Sequence, residues 1–323
     1  MLIRGSLRVS KLKKVRLLLD IGVTKTGSKS RQQYFASTYD KRKNTSTVFL
    51  ETGREGIWHR PVYDRLKAHD YAVLNDLKDE IKSLNDECEV ALLSFEQFYL
   101  LGEPQIEALK HEFPNLHVTL FVRRQDEIVS STLNQLHKAH RVPWSEVEAF
   151  EKRIPSYMHE FDYSLHLERW SNRLSKANVK VVMYNKQRSS VETFCEVNGL
   201  ETPTKVESED RLNFAIDGFG LAVLRSLKKR VGENEKLPEI IEFAHRALDP
   251  HFRPDGPTRY LFPKSSSKKI MKSFKVSNKR LRRDWFRRKI RLFPSRENGQ
   301  YAEHCLDDVG KTVAEILSRA GLG

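Results

Sequence analysis

Nine residues early in the chain have the types and spacing to hold an anion: Gly22-Val23-Thr24-Lys25-Thr26-Gly27-Ser28-Lys29-Ser30. They follow an apolar run that reads as a buried strand, and they lead into a helical pattern. Such a strand–turn–helix junction aims backbone N–H groups, hydroxyls and a lysine at one point, which suits a phosphate. A second junction of the same kind begins at Arg123, directly after the strand-like run 117–122. An arginine there can fork onto phosphate oxygens, and Ser131, eight residues later on the next helix, adds a neutral donor. If the register slips by one, Arg124 and Ser130 take those places. Two further side chains suit proton transfer: Glu96, after the apolar run 90–94, and His59, in Gly56-Ile57-Trp58-His59-Arg60-Pro61.

The spelling of the first loop narrows the phosphate. A Walker A loop needs Lys-Ser/Thr directly after its second glycine. Here Ser28 intervenes, Lys29 arrives one residue late, and Lys25 stands before the second glycine. Beyond the strand that leads into this loop, no apolar strand ending in Asp supplies a Walker B segment, the run 90–94 ending in Ser, so a nucleotide-dependent kinase or phosphotransferase is the weaker alternative. The segment instead resembles the 5′-phosphosulfate loop of sulfotransferases, Pro-Lys-Thr/Ser-Gly-Thr-Thr, with Thr24 for the proline and Lys29 for a threonine. Arg123 and Ser131 match that family's 3′-phosphate pair in order and spacing. Softer matches extend the resemblance over nearly the whole chain. They are 92–98 to a Ser-Ser-Glu-x-Phe segment, Phe161-Asp162-Tyr163 with Trp170 to an Asp-Tyr…Trp helix, 179–184 to a later core strand, and Phe274, Ser277-Asn278, Trp285-Phe286 and Leu292-Phe293 to a C-terminal signature.

The resemblance implies 3′-phosphoadenosine 5′-phosphosulfate as co-substrate, with no metal required. It places Lys25 at the bridging oxygen between phosphate and sulfate, with donors from Thr26, Gly27, Ser28, Ser30 and, as an added cation, Lys29. It implies a carbohydrate or glycolipid acceptor, with Glu96 or His59 as the base. Glu96 is preferred because it closes the strand between the two donor-binding strands. Trp58 and Arg60 suit a sugar face and an anionic substituent.

Elements of the right kind exist to position these residues. Strand-like runs at 15–23, 47–50, 90–94, 118–122 and 179–184 alternate with helical patterns at 30–38, 61–68, 104–111, 125–138, 162–176 and 190–198. From about 202 onward strand signals fade, and helices are expected at 214–229, 237–248, 265–272, 278–289 and 307–319. The expected fold is α/β: a P-loop-like central parallel sheet flanked by helices, with a mainly helical C-terminal extension. It is read as one sulfotransferase domain over residues 1–323, the donor-binding core at about 15–200 and the extension on the acceptor side.

The chain is 323 residues long and 39% hydrophobic, ordinary for a globular protein, and no stretch approaches a membrane span. Three scattered cysteines, Cys88, Cys195 and Cys305, show neither disulfide nor metal spacing, and no signal-peptide pattern opens the chain, so a cytoplasmic location is expected. His137 and His140 read as surface residues of a helix. The net charge of +14 is concentrated: residues 264–291 hold thirteen Lys or Arg against one acid, and residues 1–16 hold six against none. Ile270 with Phe274, and Leu281 with Trp285, recur at i,i+4, so an amphipathic helix or helix pair with one basic face is expected. Such a face suits a solvated surface, an anionic acceptor or peripheral association with an anionic membrane. Nucleic acid is the less expected partner, because it leaves both anion loops unexplained.

Overall fold

The computed structural model describes residues 12, 14–40, 46–202, 215–253, 264–286, 292, 293 and 306–322. The chain divides into two compact units. One is built from Met1–Arg123, Asp162–Glu207 and Arg283–Arg287, the other from Arg124–Phe161, Ser208–Arg282 and Arg288–Gly323.

The first unit is α/β. Strands β1 (Arg16–Asp20), β2 (Thr47–Phe49), β3 (Val90–Ser94), β4 (Leu116–Val122) and β5 (Val179–Met183) form one sheet in the order β2-β3-β1-β4-β5, every pairing parallel. Parallel strands need crossovers, which here carry helices α1 (Ser28–Thr38), α2 (Arg60–Lys67), α3 (Ala72–Ser83) and α4 (Glu103–Glu112). Helices α7 (Tyr163–Arg173) and α8 (Ser190–Asn198) flank β5 in sequence.

Both sheet faces are buried, as expected of parallel strands. Leu18, Leu92, Phe121 and Val182 cluster with Phe35 of α1, with Tyr39 just past its end, and with Val191, Phe194 and Cys195 of α8. The alternate residues Leu17, Leu19, Ala91, Leu93 and Leu120 are buried as well, at 1% exposure or less. Because every strand runs the same way, Asp20, Ser94 and Val122 end on one edge of the sheet. Ligands of open α/β sheets bind beyond that edge.

The second unit is mainly helical: α5 (Gln125–Lys138), α6 (Trp144–Tyr157), α9 (Gly218–Val231), α10 (Leu237–Ala247), α11 (Lys264–Ser273), α12 (Lys275–Trp285, entered through residue 282) and α13 (Leu306–Arg319). Its core joins Leu221, Leu224 and Leu227 of α9 to Ile240 and Ile241 of α10 and Val309, Val313 and Ile316 of α13. Buried Lys228 donates to the carbonyls of Leu136, Ala139 and Val142, closing the C-terminal end of α5 with a cation.

The differences from expectation are local. Helices α3 and α6 lie where none was expected, and a two-residue antiparallel pair, β6 (Ala215–Ile216) with β7 (Phe252–Arg253), interrupts the helical tail. Residues 124–161 join the second unit although they precede position 200. The expected helix at 278–289 is α12, ending at Trp285; residues 287–289 and Cys305 lie outside the described residues. His137 is not a surface residue: it is 0% exposed and stacks on Trp144. His140 is half-buried against the ring of His245. Among the described residues, no helix is long and apolar enough to cross a membrane.

Candidate functional site

The loop from Gly22 to Ser30 leaves the carboxyl end of β1 and enters α1. Its turn needs two left-handed residues, Lys25 at φ 65° and Gly27 at φ 79°. Gly27 is the N-cap of α1, which has no side-chain cap and no acidic residue in its first turn. The first amides of a helix have no partner within the helix, so this end is electropositive and fit to seat an anion. By contrast, Asp162, Ser189 and Asp217 cap α7, α8 and α9 with their side chains. Gly22 is required for a different reason: a Cβ there would meet Nη2 of Arg31 at 2.8 Å.

A buried network fixes the loop from below. Asp20, 1% exposed, takes Nε and Nη2 of Arg31 at 2.9 and 3.1 Å, and Ser94 Oγ donates to the same carboxylate at 2.9 Å. Arg31, 0% exposed, also donates from Nη1 to the Thr26 carbonyl at 2.7 Å, and its guanidinium lies 4.1 Å from the Phe121 ring centroid. One arginine thus links β1, the loop, α1 and β4. Sequence reasoning missed Asp20, Arg31 and Ser94. The available signal was one carboxylate ending an otherwise apolar strand.

Lys25 and Arg123 are brought together. Arg123 Nη1 donates to the Lys25 carbonyl at 2.6 Å, and the Arg123 carbonyl accepts from Tyr163 Oη at 2.7 Å. The guanidinium also lies 5.1 Å from the centroid of the Tyr184 ring. A lysine in the left-handed region costs roughly 1–2 kcal/mol, and the bond from Arg123 helps hold it there. Tyr163, from the Asp-Tyr…Trp segment, therefore positions the second anion-loop arginine, while Asp162 caps α7 and Trp170 is buried core. Arg124 is committed elsewhere: Nε and Nη2 each lie 3.1 Å from the Asp126 carboxylate.

The remaining loop residues divide by orientation. Thr26 is 0% exposed, and its hydroxyl donates to the Val23 carbonyl at 2.6 Å, so this side chain serves the loop itself. Ser28 is buried, Ser30 half-buried and Lys29 exposed, all in the first turn of α1. Ser131 is half-buried on α5, in the second unit.

The two base candidates differ sharply. Glu96 does not close β3, which ends at Ser94; it lies two residues on, half-buried, accepting from Gln32 Nε2 of α1 at 3.2 Å. Nor does β3 separate the two anion-loop strands, because β1 is the strand between β3 and β4. His59 is 0% exposed, with Nε2 2.9 Å from the Leu50 carbonyl and Nδ1 3.2 Å from the Ser94 amide. The amide can only donate, so Nδ1 accepts and Nε2–H donates to Leu50. Burial pushes its pKa down to about 4. Both ring nitrogens are occupied in this neutral form, and His59 acts as a pin between two loops.

His59 closes a rigid turn. Glu55 and Trp58 exchange backbone hydrogen bonds, and Glu80 accepts from the amides of Glu51 and Thr52 at 2.8 Å each. Trp58 remains 38% exposed on this turn. Among the described residues, no group of three or more His, Cys, Asp or Glu could hold a metal.

No family model and no curated protein matches the chain. Among solved structures, a sulfotransferase from Alicyclobacillus acidocaldarius is similar over 70% of this chain and 95% of its own, at 14% identity and a TM-score of 0.36. So loose a likeness transfers neither a residue nor an activity.

Proposed function

We propose that the chain is a sulfotransferase that takes a sulfuryl group from 3′-phosphoadenosine 5′-phosphosulfate to a hydroxyl or amine of a carbohydrate or glycolipid. The observation that carries this reading is the Arg123–Lys25 bond, which joins the two loops that resemble the family's phosphate-binding segments. The donor supplies an activated sulfuryl group, and this chain's residues supply its seat. Lys25, Ser28, Ser30 and the first amides of α1 would hold its 5′ end, and Arg123 would hold its 3′-phosphate. As the sulfuryl group departs, charge builds on the leaving phosphate, and the Lys25 ammonium would offset it.

Glu96 is the base of this scheme, oriented by Gln32 and exposed enough to meet an acceptor hydroxyl. His59 is not proposed as base, since both its nitrogens are engaged. Trp58 offers a flat apolar face to a sugar ring. A cytoplasmic setting, where the buried free thiols Cys88 and Cys195 stay reduced, belongs to the same reading.

Calorimetric titration with 3′-phosphoadenosine 5′-phosphate, in the absence of Mg²⁺, tests the donor seat. The bisphosphate should bind more tightly than ATP, and Lys25→Ala and Arg123→Ala should each weaken it about 10- to 100-fold. Tighter binding of ATP with Mg²⁺, or no effect of either substitution, would overturn the assignment. Glu96→Gln should keep bisphosphate affinity and lose turnover.

A further inference from the structure

Outside the candidate donor site, the strongest concentration of charge is on α11 and α12, which only Phe274 separates. Their inward face is Ser267, Ile270, Phe274, Ser277 and Leu281, all buried, at spacings that alternate three and four. That face is fastened to the start of α5. Ser267 Oγ donates to Asp126, and the side-chain amides of Asn278 and Gln125 exchange hydrogen bonds at 2.9 and 3.2 Å. The apolar residues of this face are buried, at 8% exposure or less.

The outward face follows from the same register. Lys268, Lys269, Lys272, Lys275, Lys279, Arg280 and Arg282 are all exposed, and none of them forms an ion pair among the described residues. Lys268, Lys275 and Arg282 recur seven residues apart, as do Lys272 and Lys279, so they repeat on one helical face at intervals of about 10 Å. No Asp or Glu occurs from 264 to 282. In their midst stands Val276, 65% exposed.

We propose that this face docks the protein on an anionic lipid surface. The helices cannot submerge, because their apolar residues already pack inward, so attraction acts between fixed surface charge and lysine point charges. Val276 decides between this partner and a nucleic acid. An aliphatic side chain among lysines gains nothing along a phosphodiester track, whereas it partitions into the headgroup boundary of a bilayer. Base readout would also call for outward Asn, Gln or Arg in forked contacts, and five of the seven cations are lysine.

Sedimentation of the full chain with vesicles tests the proposal. Vesicles of mixed phosphatidylglycerol and phosphatidylcholine should carry the protein down, pure phosphatidylcholine should not, and raising salt from about 0.05 to about 0.5 M should release it. The quadruple variant K268Q/K272Q/K275Q/K279Q should lose about 10²- to 10³-fold in partitioning. V276S should lose several-fold on vesicles and nothing on duplex DNA. Unchanged partitioning in the quadruple variant, or equal binding to neutral vesicles, would overturn the proposal. Tighter binding to DNA with V276S silent would reassign the face to nucleic acid. Circular dichroism and the bisphosphate titration of the variants monitor the fold independently of lipid binding.

Discussion

The loop at 22–30 and the helical face at 268–282 are both rich in cations, and they use them in opposite ways. At the loop, Arg31 is sealed under the backbone by Asp20, Arg123 is spent partly on a carbonyl, and left-handed turns at Lys25 and Gly27 fold the chain around one point. Along the face, the cations stand outward without ion-pair partners among the described residues, and the backbone beneath them is helix on either side of Phe274. Convergent charge costs desolvation and strain and gains a site for one small anion. Divergent charge costs little and gains a long-range field.

The sharpest way to break that contrast is at Arg31. Arg31→Met leaves the Asp20 carboxylate buried without its cation, and breaking such a pair costs about 3–5 kcal/mol. Urea unfolding should register that loss, and a loss under about 1 kcal/mol would mean the network does not hold the loop.

Acid should separate the two regions next. Burial depresses His59 from 6.5 to about 4, so the folded state resists a proton that the unfolded state accepts. Stability therefore falls as pH drops from about 6.5 toward 4, by on the order of 3 kcal/mol from His59 alone. Buried His137, depressed to about 3, adds a loss of the same sign from the second unit. His59→Asn should flatten part of this limb in pH-dependent denaturation. The helical face has no His, Asp or Glu from 264 to 282, so its own charge does not change over this range, and vesicle binding should persist for as long as the protein stays folded.

Two glycines give a smaller test. Gly27→Ala places a methyl group against the side chain of Ser190 at φ 79°, whereas Gly56→Ala, at φ 60°, meets nothing within 4 Å. The first should weaken bisphosphate binding and cost about 1–3 kcal/mol, and the second only roughly 1 kcal/mol of backbone strain.

What the sequence made legible was local. An apolar run breaking at Gly22, and another breaking at Arg123, announce strand–loop–helix junctions within a few residues each, and the parallel sheet follows from their alternation with helices. The Asp20–Arg31–Ser94 network was hidden because its members pair across 11 and 74 residues. His137 was misread although Val129, Leu133 and His137 fall at i,i+4, the period of a buried face. Helix α3 was not expected either, although Val73, Leu77 and Ile81 fall at the same period. The allotment of 124–161 to the second unit had no local signal, because packing between segments far apart in the chain decides it.

The smallest effect sharpens the comparison from the other side. Lys272 is exposed on regular helix without an ion-pair partner among the described residues, so Lys272→Gln removes a charge and leaves a good helix former. Its unfolding free energy should stay within about 0.5 kcal/mol of the parent, and bisphosphate affinity should not move. Only the salt-dependent vesicle partitioning should fall, by about fivefold for one lysine. A stability loss comparable to that of Arg31→Met would mean that the face, like the loop, is held by its charges.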